Sequence, residues 1–356
     1  MEARVSVTTP DADGIEAPPD DSAAVLAPVL DFSGAVRFDP ARIMEGEVGE
    51  GEGAPASARC AALLTDHSFG DVARFFPDRP TAWRAAVETI RLHHRTAGRP
   101  KRREIIVVSD DPRLPPALAP DAGVRRIPEE EAAIEAAMGP QVAALLLSPA
   151  SIDAGLRFLP GSILATARQM ADEYGVVLLF DETDAGLGRT GMAFAHEWRG
   201  VAPDVMVIGD LSGGAEDGEG ASALVLGARL ARSLPSGLPL LDEEAATGLH
   251  AILSAAFAPG FEARVQELGW KLEDRLATLR WRRLDLFSDT AGTGLVQGLV
   301  CAGPAAPLAE ALAGQGLLVR PVGNVLALLP PLTVTEAEIA TAGDILDAVV
   351  AAIPPA

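Results

Sequence analysis

Four carboxylates stand where a fold can put them to chemical use. In "GVVLLFDETDAGLGRTG" (residues 175–191) an apolar run ends in Asp181-Glu182, and a glycine-punctuated turn containing Asp184 follows. In "DVMVIGD" a second apolar run ends in Asp210. Such carboxylates can do acid–base work or hold a divalent cation. At a strand end they can equally serve as turn caps or stay solvated, and no complete ligand motif accompanies these four. Asp181 and Asp210 would face one crevice if their strands share a parallel sheet, because sites in such sheets lie beyond the carboxyl ends of the strands.

The elements needed to position them are legible. "TAWRAAVETIRLHHRTAG" reads as a helix with Trp83, Val87, Ile90 and His94 on one face. "REIIVVSD", "QVAALLLSP", "VVLLF", "DVMVIGD" and "SALVLG" read as strands, with helices "EEEAAIEAAMG" and "PGSILATARQMADEYG" between them and Gly175 as a stop signal. Strand–helix alternation with near-continuous apolar strands predicts an α/β domain on a mostly parallel sheet buried on both faces. The texture then changes. A long amphipathic helix, "FEARVQELGWKLEDRLATLRW", precedes short strands and a last helix whose Thr335 and Glu338 form a capping-box pattern. The expected division is a largely disordered or remnant segment over 1–55, a large domain over 56–256 and a small α+β domain over 257–356. Within the first segment "VLAPVLDF" could add one short strand.

Composition narrows the function. The net charge of −21 argues against a nucleic-acid partner, since the surface repels phosphate backbones. The short cationic stretch "RPKRRE" (99–104) reads either as a docking site or as a solvated loop before a strand. Cys60 and Cys301 form neither a disulfide framework nor a metal-ligand spacing, and the histidines form no ligand motif. No apolar run is long enough to span a membrane. A cytoplasmic protein without a membrane partner is expected.

The motif "FDETDAGLGRTG", the following "MAFAHEWRGVAPDVMVIGDLSGG" and the closing "GLLVRPVGNVLALLPPLTVTEAEI" resemble, in order, three segments of the class III (ornithine/acetylornithine-type) aminotransferases. That resemblance implies a pyridoxal-phosphate fold of type I, a cytoplasmic dimer and a list of catalytic parts. One is an aspartate paired with the pyridine nitrogen, and Asp181 matches it. Another is the Schiff-base lysine, but Asp210 occupies that position, and the chain's two lysines are Lys101 and Lys271. The phosphate cup at the start of the Trp83 helix reads "PDRPTAW", where Arg79 could bind an anion alone but is more simply a surface arginine. The ring-stacking aromatic after "EIIVV", the phosphate-binding threonine and the C-terminal arginine have no match, and Ala327 stands at the last of these positions.

These departures lead to one main expectation: a catalytically silent member of the fold, with Asp181 vestigial. Its role would be that of a partner, regulatory or scaffold subunit, as a homodimer or paired with an active relative. No cofactor, or at most weak non-covalent pyridoxal phosphate, is expected with it. The alternatives are a working acetylornithine/ornithine-type aminotransferase and a cofactor-free enzyme using the Asp181/Asp210 crevice.

Overall fold

The computed structural model describes residues 29–34, 38, 54–111, 118, 123–209, 211 and 220–354. Asp210 and most of residues 1–55 lie outside the described residues. In chain order the strands are β1 (Leu30–Phe32), β2 (Val72–Phe76), β3 (Glu104–Val108), β4 (Val124–Ile127), β5 (Val142–Leu147), β6 (Ala150–Ser151), β7 (Arg157–Phe158), β8 (Val177–Asp181), β9 (Val205–Ile208), β10 (Ser222–Leu226), β11 (Phe287–Thr293), β12 (Val296–Cys301), β13 (Leu317–Val322) and β14 (Val325–Leu328). The α-helices are α1 (Ala56–Asp66), α2 (Arg79–Thr96), α3 (Glu131–Ala137), α4 (Gly161–Tyr174), α5 (Ala228–Ala231), α6 (Glu243–Ala256), α7 (Phe261–Arg282), α8 (Ala306–Ala313) and α9 (Glu336–Ala351).

The strands build a seven-stranded sheet in the order β2-β10-β9-β8-β5-β3-β4 and a five-stranded sheet in the order β1-β13-β14-β12-β11. In the first sheet β9, β8, β5, β3 and β4 run parallel, and β10 is antiparallel to both its neighbours. β5, β9 and β10 are buried along their whole length because both faces are covered, as their unbroken apolar sequences require. The α/β fold with a mostly parallel sheet is therefore as the alternation of elements indicates.

Helix α2 covers one face of this sheet through Trp83, Val87 and Ile90, all buried. Its start is fixed by Asp78, whose carboxylate accepts from the Thr81 N–H at 2.6 Å. His94 also faces inward, with its Nε2 2.8 Å from the Ala143 carbonyl, and burial pushes its pKa down to about 4. It is a neutral core residue. Helix α4 covers the opposite face and ends at Gly175, whose φ of 61° is the left-handed cap that glycine adopts without strain.

The five-stranded sheet docks directly onto the turn that follows Asp181. Gly294, in the β11–β12 hairpin turn, lies so close to the chain at Thr190 that a Cβ would come within 2.4 Å of the Thr190 carbonyl carbon. The Leu295 N–H donates to the Arg189 carbonyl at 2.9 Å. The retained "GLGRTG" thus forms the seat for this second sheet. Strand β1 joins the same sheet, parallel to β13, so "VLAPVLDF" does contribute a strand. Helix α9 opens with the Thr335–Glu338 capping box. Its Asp344 and Asp347 lie 2.5 and 2.8 Å from Arg275 of α7. Among the described residues no helix is long and apolar enough to cross a membrane.

Candidate active site

Asp181 is the last residue of β8 and pairs in register with Val207 of β9, so the carboxyl ends of the two strands lie at one edge of the sheet. A cavity of about 220 Å³ opens there, lined among others by Arg79, Trp83, Ser109, Ser148, Asp181 and Asp184. The Thr183 N–H donates to Asp181 Oδ1 at 3.0 Å. Burial and then the charge of Asp184 push the Asp181 pKa up to about 6, against the opposing pull of the Thr183 hydrogen bonds and the Arg79 charge. A carboxyl group in this state is stabilised by any cation that enters the cavity.

The four carboxylates singled out by position have different roles. Asp181 and Asp184 share the cavity, and Asp184 accepts from the Ile152 N–H at 3.0 Å. Glu182 is fully buried away from it. Its two oxygens accept from the Ala195 and His196 backbone N–H groups at 3.0 and 2.9 Å, and the His196 Nδ1 lies 3.0 Å away. That clasp ties the β8 end to the 195–199 turn. Asp210 lies outside the described residues, so the Asp181/Asp210 crevice is outside them too. Among the described residues no group of three or more His, Cys, Asp or Glu is placed to hold a metal ion.

In the sequence Arg79 reads as a surface residue first, and Trp83, Arg157 and Arg320 have no place in the site. Arg79 lines the cavity, and its buried Nε has no hydrogen-bond partner among the described residues. A Cβ on Gly209 would lie 3.1 Å from that nitrogen, so Arg79 reaches the end of the β9 strand. The reading of Arg79 as a plain surface residue is corrected by this placement. The signal for it was its position immediately after the helix cap Asp78, which points its side chain to the carboxyl edge. Trp83 is fully buried, and its indole nitrogen likewise has no hydrogen-bond partner among the described residues. Arg157 reaches the cavity already engaged, 2.5 Å from Glu129 and 3.1 Å from Asp110. Ala327 sits buried in β14, and directly opposite it on β13 is Arg320. Residues opposite each other in an antiparallel pair project to the same face. Arg320 reaches Asp153 of the cavity wall at 3.4 Å. Only pairing register, invisible in one dimension, brings this arginine beside position 327.

The model of the class-III aminotransferase family matches residues 107–350. The chain belongs to the class III aminotransferases. It is 32% identical over 321 residues to the acetylornithine aminotransferase of Mesorhizobium japonicum, covering 80% of this chain and 76% of that one. It is 33% identical over 336 residues to the Rhodobacter capsulatus acetylornithine aminotransferase, covering 84% of this chain and 81% of that one. Among solved structures, the N-acetylornithine aminotransferase of Stenotrophomonas maltophilia K279a superposes with a TM-score of 0.77 at 26% identity, covering 91% of each chain. The type I fold follows from these neighbours.

Membership overturns the expectation that the chain carries no cofactor. That expectation counted missing motif residues one by one, yet the acetylornithine aminotransferases are pyridoxal-phosphate enzymes and align over most of this chain. The residues present fit non-covalent attachment of such a group. Asp181 at the strand end would face the pyridine nitrogen, and Arg79, whose buried Nε has no hydrogen-bond partner among the described residues, would face an anionic oxygen. The fit is not that of a lysine-linked site. Lys101 precedes the amino end of β3, at the opposite edge of the sheet, and Lys271 of α7 is ion-paired to Glu267 and Glu336 at 2.9 and 2.7 Å. The first turn of α2, where the family cups a phosphate, is capped by the chain's own Asp78.

Proposed function

We propose that the chain binds pyridoxal phosphate non-covalently in the Arg79–Asp181 cavity and handles an acetylornithine-type amino acid there, the substrate class for which its relatives are named. The observation that carries this reading is the desolvated Asp181 carboxyl at the strand end, whose raised pKa of about 6 leaves it in need of a cation. When bound, this cofactor supplies an aldehyde that takes up an amine and a ring that draws electrons from the neighbouring carbon. The chain's residues do the rest. Asp181 holds the proton on the ring nitrogen, and a charge-assisted hydrogen bond of this kind contributes roughly 1.5–3 kcal/mol. Arg79 neutralises an anionic oxygen. Trp83 and Leu146 close the cavity wall against water. Arg320, held by Asp153, stands ready for a carboxylate at the lip.

A second reading keeps the cofactor and drops the turnover. In it the chain is a partner or regulatory subunit in the cytoplasm, dimeric with itself or with a lysine-bearing relative. The positions of Lys101 and Lys271 favour it, since both stand away from the cavity lining.

Absorbance titration of the purified chain with pyridoxal phosphate tests the shared part. Saturable binding that falls about tenfold or more in Asp181→Asn is expected; titration curves identical for the two proteins would sink the proposal. Adding N-acetylornithine to the loaded protein separates the readings, because only the first converts its terminal amine to an aldehyde, the amino group passing to the cofactor. Borohydride reduction followed by intact mass should add no cofactor to the chain, as neither lysine lines the cavity.

A further inference from the structure

The opposite edge of the seven-stranded sheet holds a second site. Residues 91–103 contain Arg91, Arg95, Arg99, Lys101, Arg102 and Arg103 and neither Asp nor Glu, in a chain of net charge −21. The segment runs from the end of α2 to the start of β3, and its cations fall into crowded pairs. Arg99 and Arg102 converge on one oxygen, the Gly175 carbonyl, with their Nη1 atoms at 3.5 and 2.8 Å. Arg91 bonds the Arg103 carbonyl at 3.4 Å. Among the described residues no carboxylate forms an ion pair with any of the six. The acids near the cluster include Glu88, beside Arg91, Asp204, beside His93, and Glu104, which follows Arg103 and is paired 2.7 Å from Arg125. Asp204 is engaged elsewhere, 3.3 Å from Arg168 and 3.2 Å from Arg229.

A cleft of about 390 Å³ opens at this point, lined by Gly98, Arg99, Pro100, Lys101, Arg102 and Pro140. Two guanidinium groups and an ammonium therefore share one concave surface, and among the described residues no carboxylate lines it. Holding like charges together costs free energy that an oxyanion between them recovers, and guanidinium forks match the spacing of phosphate oxygens. The rest of the molecule repels a singly charged ion, but its field is screened within about 8–10 Å at physiological ionic strength. A ligand with several negative charges at short range gains most from such a site.

We propose that this cleft is a binding site for a diphosphate-type oxyanion, held by Arg99, Lys101 and Arg102, and separate from the Arg79–Asp181 cavity. Prolines on two sides limit the backbone freedom lost on binding. The diphosphate could come as the free ion or as the tail of a nucleotide, and the two sources share this chemistry.

The test is isothermal titration of the full chain with inorganic pyrophosphate at 50 and 200 mM salt, with adenosine diphosphate in a second arm. Wild type binds pyrophosphate more tightly than inorganic phosphate, and affinity falls with salt. Arg99→Gln/Arg102→Gln weakens binding at least tenfold. Lys101→Gln, at a side chain with no hydrogen bond among the described residues, weakens it about threefold and serves if the double variant folds poorly. Arg79→Gln leaves pyrophosphate affinity within twofold. Adenosine diphosphate binding as tightly as pyrophosphate marks the free ion as sufficient, and tighter binding assigns the nucleotide. Absent binding by folded wild type at 50 mM salt overturns the site. Loss of binding in Arg79→Gln with no loss in Lys101→Gln also overturns it, by placing the anion in the other cavity.

Discussion

At the carboxyl edge of the seven-stranded sheet Asp181 is crowded by Asp184 and relieved by Arg79. At the amino edge Arg99 and Arg102 crowd each other and share only the Gly175 carbonyl. The first arrangement costs stability in the free protein, since it holds like charges where water is excluded, whereas the second sits on largely exposed side chains where solvent screens the repulsion. They differ in what supports them. The carboxyl edge is braced: Glu182 ties β8 to the 195–199 turn, Asp184 holds Ile152, and the Gly294 hairpin packs on the turn behind. The amino edge is a loop with exposed side chains and no such brace. Strain on a rigid frame is a mark of a pre-organised site, whereas crowding on a loop can relax and will hold a ligand more loosely.

The largest expected effect comes from removing the brace. Glu182→Ala leaves the Ala195 and His196 N–H groups and the His196 ring without their acceptor in a fully buried position. A loss of about 3–5 kcal/mol is expected, as for breaking other buried charged networks. Urea unfolding monitored by tryptophan fluorescence would measure it. A loss below about 1 kcal/mol would mean that the carboxyl edge is no better braced than the amino edge.

The cation at the carboxyl edge comes next. Arg79→Gln should weaken pyridoxal phosphate binding by roughly 1.5–3 kcal/mol, the cost of removing one charge-assisted hydrogen bond. Equilibrium dialysis reads this directly. The same variant leaves pyrophosphate binding in place, so the two edges are distinguished by one substitution.

Asp181→Asn probes the strain itself. The folded-state pKa of about 6 exceeds the ordinary value of 3.8, so the folded protein favours the protonated form. Below pH 3.8 that preference costs nothing. As pH rises through 3.8 toward 6 the carboxyl ionises more readily in the unfolded chain, and stability is lost. The asparagine variant escapes this loss. It should be more stable than wild type by about 1–3 kcal/mol at pH 7.5, and the difference should vanish near pH 4. Thermal melts at the two pH values measure it, and an equal difference at both would remove the desolvation argument. The variant gains stability where it loses cofactor affinity, as strained sites commonly do.

The strands and helices around the site were legible because their signals are local. "VVLLF" could only be a covered strand, Gly175 could only stop a helix, and Asp181 had to fall at a strand end. The "GLGRTG" turn could be matched as a motif, but its use as a seat for the Gly294 hairpin depends on a contact between residues far apart in sequence. Glu182 illustrates the limit. It follows Asp181 directly, so a reading by position grouped the two, whereas the alternation of side chains along a strand sends them to opposite sides. Arg320 is the same lesson across strands: nothing in the order of residues says that it stands opposite Ala327. Counting absent motif residues therefore understated the cavity, where Arg79 stands inside the altered cup segment and Arg320 comes from a position that no motif marks.

The smallest prediction is a control for the comparison. Thr335 caps α9, its hydroxyl accepting from the Glu338 N–H at 3.3 Å while the Glu338 carboxylate accepts from the Thr335 N–H at 2.8 Å. This box belongs to the five-stranded sheet's last helix and touches neither edge of the seven-stranded one. Thr335→Ala leaves the Glu338 N–H without its side-chain acceptor and should cost about 1 kcal/mol. Because α9 is tied to α7 through Arg275, and α7 in turn to the Gly294 turn through Gly269, a mechanical link from this helix to the cavity exists. If that link transmitted strain, loosening α9 would alter pyridoxal phosphate affinity. We expect it does not, because the Glu182 clasp fixes Asp181 from within the large sheet. A thermal shift of a few degrees with both ligand affinities unchanged would locate the strain at the edges themselves. A change in cofactor affinity without a change at the amino edge would instead show that the cavity's geometry is set by the second sheet.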